Sequence, residues 1–193
     1  MFTEDYLMRI LNQAIAALMT AIGLRKAGKY SEARQAILQA IEQLTTLPAN
    51  LVEQMEDGSL LNILRTQGLL DAGRLAILGD LYMELAEILF NLDQAVQGFI
   101  SLASALRFYL EAALSEADNL STDNIGKVVV LLQRLEERAL PVETQLALSD
   151  YYQRVLEMDD QSLVAAGTSR TQVSQRLSKL QDQLGQSRIS SGT

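Results

Sequence analysis

Ala27-Gly28-Lys29-Tyr30-Ser31-Glu32-Ala33-Arg34-Gln35-Ala36-Ile37-Leu38-Gln39-Ala40 reads as a tight turn followed by an amphipathic helix. Gly28 supplies the backbone freedom that the turn needs, and Ser31 is placed to accept bonds from the free amides opening the helix. Upstream, Tyr6, Leu7, Ile10, Leu11, Ala14, Ile15, Leu18 and Ile22 recur at helical spacing, with Thr3 positioned to cap the start. Two helices joined by so short a turn make a hairpin. The second helix is expected to run to about Leu44, and Pro48 stops its continuation.

The whole composition agrees with helices. Of 193 residues, 48% are hydrophobic, only 5% are aromatic and 2 are proline, which suits a helical core better than a sandwich or barrel. Cysteine and histidine are both absent. Disulfides, thiolate metal sites, cysteine nucleophiles and a Ser-His-Asp triad are thereby excluded, together with the commonest general base. Net charge is −8, with 4 acids against 5 bases in residues 1–50, 12 against 3 in 51–123, and 8 against 8 in 124–193. No basic stripe is evident for phosphate neutralisation, so no nucleic-acid partner is expected. The segment Met1-Phe2-Thr3-Glu4-Asp5 lacks a positive region before an apolar run, and the apolar stretch from Ile10 to Leu24 is interrupted by Asn12, Gln13 and Thr20. No secretory signal, no membrane partner and a cytoplasmic location are the expectation.

Residues 46–71 are less regular: Leu47-Pro48, then Leu51 to Met55, then Asp57-Gly58-Ser59 opening Leu60 to Leu64, then Gly68. They read as two short helices folding back as a cap over the first hairpin. Asp71 is placed to cap a helix from Ala72 to about Asn91, with a stripe at Leu75, Leu78, Tyr82, Leu85 and Leu89. Asp93 is expected to open the next, reaching about Ala117, with Val96, Phe99, Ile100, Ala103, Leu106 and Leu110 inward. Ser121-Thr122-Asp123 starts a helix to about Arg138, where the caps outweigh the strand-like Val128 to Leu132. Pro141 suits the first turn of a helix carrying Leu146, Leu148, Tyr151, Tyr152 and Leu156. Ser169, with Gln172 as a capping box, begins a last helix to about Leu184, in which Val173, Leu177, Leu180 and Leu184 share a face. That helix either docks on its own bundle or makes an intermolecular contact, and residues 185–193 are expected to be disordered.

The first hairpin resembles a tetratricopeptide repeat residue by residue. Ala21 holds the small position, Leu24 stands where an aromatic is usual, Gly28 and Tyr30 match the turn, and Ala33, Ile37 and Ala40 match the second helix. Small residues matter there because axes at the short end of the usual packing distance leave no room for side chains. Leu78-Gly79-Asp80-Leu81-Tyr82 followed by Ala95, Phe99 and Leu102 suggests a second copy, and Leu148 to Tyr152 a fainter third. The small residues are 12 apart in the first copy (21 to 33) and 16 in the second (79 to 95), so the array is irregular. Taken with Asp5-Tyr6-Leu7-Met8-Arg9, these segments are similar to an uncharacterised bacterial family of tetratricopeptide-like domains of unknown function, over about residues 4–110. The resemblance implies an all-α fold of antiparallel hairpins stacked into an irregular right-handed array or bundle of about seven to nine helices. One domain is expected over 1–168, with hairpins at about 3–45 and 72–117 and the short-helix insert at 46–71.

The resemblance also implies a peptide-binding concave face lined by first helices. Here that face carries Ile15, Leu18, Ile22, Arg25 and Lys26, then Ala76, Asp80, Met83 and Glu84. Versions that grip a terminal carboxylate use Lys and Asn where this chain has Leu18, Ile22, Ala76 and Asp80, so that mode is not expected. Leu18, Ile22, Arg25, Lys26 and Met83 are the candidate partner-binding residues, with Arg25, Lys26, Lys29 and Arg34 able to meet an acidic partner or simply to stay solvated beside a helix terminus. Asp80, Glu84 and Glu87 share one helical face and are the candidate ligands for a hard cation, against the plainer reading of a solvated acidic face. Gly167-Thr168-Ser169 before a helix is a weak anion-site signal. No catalytic residue and no cofactor are assigned. The expectation is a non-enzymatic interaction or scaffold module for a protein or peptide, itself included; the alternatives are a small-molecule or divalent-cation binder and a purely structural homo-oligomer.

Overall fold

The computed structural model describes residues 2–66, 71–115, 122–135 and 138–190. Among these the chain is all-helical: α1 (Phe2–Lys26), α2 (Tyr30–Thr45), α3 (Ala49–Val52), α4 (Asp57–Thr66), α5 (Ala72–Asn91), α6 (Ala95–Ser115), α7 (Thr122–Arg134), α8 (Val142–Leu156), α9 (Asp160–Ala165) and α10 (Arg170–Ser190). The tenth helix beyond the expected range is α9, a short one opened by Asp159, whose side chain accepts from Ser162 N. Gly68, Ala117, Ser121, Glu136, Glu137 and residues 191–193, on which parts of the sequence reading fall, lie outside the described residues. The chain packs as two compact units, Met1–Phe108 and Tyr109–Thr193, divided within α6.

In the first unit α1 packs on α2, and both pack on α5. The crossing is made by small side chains: Ala14, Ala21, Ala33 and Ala40 are fully buried, backed by Ile37, Ile41 and Leu44. The turn is built as the sequence requires, with Gly28 at φ 76° and Lys29 N donating to Leu24 O at 2.9 Å, a left-handed helix stop. That stop sets the next helix early. α2 begins at Tyr30 with Lys29 at its cap and no side-chain capping bond, so Ser31 lies inside the first turn. Thr3 likewise lies within α1, which begins at Phe2.

The insert folds back as expected: α3 packs on α2, and Val52, Leu60, Leu61 and Leu64 are buried. Asp71 accepts from Arg74 N at 2.7 Å and opens α5 at the predicted residue. α5 and α6 are antiparallel, because Phe90 meets Phe99 edge-on at 5.0 Å while Tyr82 meets Phe108 at 5.1 Å. Gly98 is what lets Phe90 come so close, since a Cβ there would stand 2.7 Å from its ring. Two expectations for α6 fail. Asp93 does not open the helix; it takes a left-handed conformation at φ 59° in the stop that ends α5, with Gln94 N donating to Leu89 O. Val96 and Ile100 are exposed, and Leu102, Ala105 and Phe108 are buried in their place. α6 is apolar on more than one face, so spacing alone does not fix its inward side.

In the second unit α7 contacts α9, and α8 packs on α10. Ile125, Val128 and Leu131 are buried at helical spacing, which settles the strand-like run as helix. Asn124 Nδ2 donates to Tyr109 O, and Arg154 Nη1 donates to Ala113 O at 2.8 Å. Pro141 stands at the cap of α8, one residue earlier than expected, and Leu146 is exposed. Gly167, at φ 76°, ends α9, while Ser169 Oγ accepts from Gln172 N at 3.3 Å as α10 begins. The Gln172 side chain pairs with Thr168 rather than closing the capping box. α10 continues to Ser190, past the expected end at Leu184 and into the segment read as a disordered tail. Val173 and Leu180 are its buried residues among those described.

Candidate functional site

The candidate partner-binding residues gather on α1, whose buried side is narrow. Ile10, Ala14 and Ala21 are its buried hydrophobics, and they lie on one side of the helix. The side about 110° round the helix from it is not polar. Met8, Ile15 and Met19 are 57%, 45% and 63% exposed, and half-buried Leu11, Leu18 and Ile22 flank them. At about 100° per residue these six fall within an arc of about 100°, an apolar stripe. Met8, Leu11, Ile15, Leu18 and Ile22 step by three, four, three and four, the spacing of a seam that meets another helix. Met8 and Met19 were missed as site residues: the periodicity read from Tyr6 to Ile22 did not include them, and the candidate face took only Ile15, Leu18 and Ile22 from it. The available signal was the small size of Ala14 and Ala21, which marks the face pressed against a neighbour.

The charged candidates behave differently. Arg25 turns away from the stripe and grips Glu84 of α5, Nε to Oε1 at 2.5 Å and Nη2 to Oε2 at 3.1 Å. The Glu84 side chain is 8% exposed and that of Arg25 25%. The paired carboxylate raises the Arg25 guanidinium's pKa further, by hydrogen bond and charge, against the opposing effect of burial. Lys29 pairs with Glu32 at 3.4 Å, and Arg34 with Glu53 at 2.5 Å. Of the four cations around the first turn, Lys26 alone has no ion-pair partner among the described residues. It lies at the exposed end of the stripe, and Met83 is half-buried on α5.

Asp80, Glu84 and Glu87 do not form a ligand set. Glu84 is committed to Arg25, and among the described residues no three acidic side chains converge on a point. Glu84 would have to leave a bidentate partner to take a cation, which costs more than an exposed carboxylate would pay.

A separate cavity of about 210 Å³ lies beneath the insert, lined by Arg34, Leu38, Val52, Asp57, Tyr82 and Ser104 among others. Burial pushes the Asp57 carboxyl up, opposed by the Ser104 hydroxyl bonded to it and by the positive charge of Arg107. Tyr82 is pushed up as well, by burial and by the negative charges of Asp57 and Glu53, and stays neutral.

By length and composition, Tyr6–Lys26 is apolar enough to cross a membrane, and only 17% of its apolar window is buried. The three interruptions that argued against a span in the sequence do not prevent this. The Arg25–Glu84 pair nevertheless ties the helix laterally to α5. Comparison of the chain with protein-family models, curated proteins and solved structures finds no significant match, so the meaning of this surface rests on its own geometry.

Proposed function

We propose that this chain is a non-enzymatic interaction module that uses the outer face of α1 to dock the apolar face of another helix. The observation that carries the reading is the exposed stripe of Met8, Ile15 and Met19. From Met8 to Ile22 it runs about 21 Å, enough for four helical turns of a partner. Its three-four spacing is self-complementary, so a second copy of α1 is the partner that the chain itself supplies. The packing of α1 on α2 and of both on α5 supports reading the first unit as tetratricopeptide-like hairpins. With Arg25, Lys29 and Arg34 engaged inside the chain, Leu18 and Ile22 carry the contact and Lys26 is the steering charge. The net charge of −8 favours a partner other than a nucleic acid.

The test is sedimentation velocity on the full chain from about 1 to 100 µM, where dimers of ordinary affinity dissociate. Wild type is expected to self-associate, and Met19→Glu and Ile15→Glu to be monomeric with unchanged helicity. A wild-type chain that stays monomeric, and whose photo-crosslinker at position 19 captures no protein in an extract of its source cells, overturns the module. Flotation with lipid vesicles that is lost in Met19→Glu would instead assign the stripe to a membrane.

A further inference from the structure

The second unit holds a groove with a basic lining. It has a volume of about 450 Å³ and is walled by the end of α7, the 138–140 segment, α8 and α10. Arg138, Arg176 and Lys179 line it, and among the described residues no carboxylate does. In a chain of net charge −8, Arg176 and Lys179 facing one concavity give it a local positive character that the overall composition conceals. Arg176 and Lys179 are one helical turn apart on α10 and so project to the same side.

The groove is structured around those cations. Its floor is apolar, with Leu135, Leu148 and Leu180 buried. The Gln145 amide donates to Leu140 O at 2.7 Å, which straps the 138–140 segment to α8 and fixes that wall. Tyr152 and Arg176 line the groove together, and the guanidinium lies close enough to oppose the upward shift that burial gives the phenol. Burial raises the Tyr152 pKa, so the phenol stays neutral and subtracts nothing from the positive charge. Lys179 is exposed and has no ion-pair partner among the described residues. A planar guanidinium fork beside an ammonium is a combination that takes an oxyanion, since the fork bonds two oxygens and the ammonium neutralises a further charge.

We propose that this groove binds a small multivalent oxyanion, a phosphate or polycarboxylate compound of metabolite size, held by Arg176 and Lys179 of α10 with Arg138 facing them. The volume accommodates such a molecule, while the apolar floor offers a surface for a carbon skeleton. The lining residues all belong to the second unit, so the site shares no residue with the docking stripe of α1.

Isothermal titration of the full chain with inorganic pyrophosphate, and separately with propane-1,2,3-tricarboxylate, at constant ionic strength tests the proposal. Saturable binding with Kd below about 1 mM is expected for at least one of them, and the one that binds identifies the class. Lys179→Gln and Arg176→Gln are each expected to weaken it about tenfold, the worth of one charge-assisted contact. Lys29→Gln, which removes an exposed cation of the first unit, is expected to leave binding unchanged. Lys179 is exposed, so its variant folds even if Arg176→Gln disturbs Tyr152, and the melting curve reports which has occurred. Absence of binding by both compounds up to about 10 mM, or equal binding by wild type and Lys179→Gln, overturns the site.

Discussion

Arg25→Met is expected to be among the more damaging single substitutions at any residue not wholly buried, and the reason lies in its partner. Glu84 keeps only 8% of its side-chain surface exposed, so removal of the guanidinium leaves a carboxylate with almost no water to replace two hydrogen bonds at 2.5 and 3.1 Å. Stranding a buried charge in this way costs about 3 to 5 kcal/mol. Exposure of 25% on the arginine side lets some solvent follow, which places the figure near the lower end, about 3 kcal/mol. At about 2 to 4 °C per kcal/mol for a chain of this size, Tm should fall by about 6 to 12 °C. Glu84→Gln removes less, because the amide oxygen still accepts a bond and Arg25 reaches water; about 1 to 2 kcal/mol is expected. The double variant Arg25→Met/Glu84→Leu should be more stable than Arg25→Met alone, since it strands nothing. Urea denaturation of wild type, Arg25→Met, Glu84→Leu and Arg25→Met/Glu84→Leu forms the cycle, with Glu84→Gln measured beside it. A coupling energy below about 0.5 kcal/mol, or a Glu84→Gln loss exceeding that of Arg25→Met, would refute the reasoning.

Gly98→Ala should destabilise by about 1 to 3 kcal/mol despite the better helix propensity of alanine, because its Cβ would meet the Phe90 ring at 2.7 Å; a combined Phe90→Leu change should recover much of the loss in thermal melting. Asp57→Asn should raise Tm near neutral pH. The folded-state pKa of Asp57 is raised above its ordinary 3.8, so the native state binds the proton more readily and the ionised carboxyl weakens the fold at neutral pH. The advantage of the variant should therefore shrink as pH falls through the raised pKa toward 3.8, and a gain that persists unchanged at pH 3.8 would contradict this.

What could be read from residues alone depended on how many faces of a helix are apolar. Asp71 to Asn91 was legible to the residue because an aspartate cap precedes it and a polar Asn91 ends it. Gly28 was legible because few residues other than glycine hold φ near 76° cheaply. Asp93 was misread since aspartate serves both as a cap and as a left-handed stop, and only the preceding helix decides which. The inward phase of α6 was lost among Val96, Ile100, Leu102 and Ala105, all apolar. At the candidate site, Leu18 and Ile22 were legible from periodicity, whereas the diversion of Arg25 to Glu84 was not. That pair joins residues 59 apart in the chain, and no local pattern encodes such a distance. The groove of the second unit was hidden for the same reason: Arg138 and Arg176 become neighbours only after α8 and α10 pack.

The separation of Arg25 from Glu84 also has a consequence during synthesis. At about 5 to 20 residues per second, the ribosome needs about 3 to 12 seconds after Arg25 to deliver Glu84. Throughout that interval α1 and α2 can already have closed into their hairpin, which forms on a far shorter timescale. The nascent hairpin then carries apolar surface on two sides: the one awaiting α5 and the outer stripe, where the finished fold leaves Met8, Ile15 and Met19 exposed. A factor that shields emerging apolar helices would find on this chain a target that persists after release, and expression yield should respond more to Met19→Glu than folded-state stability does.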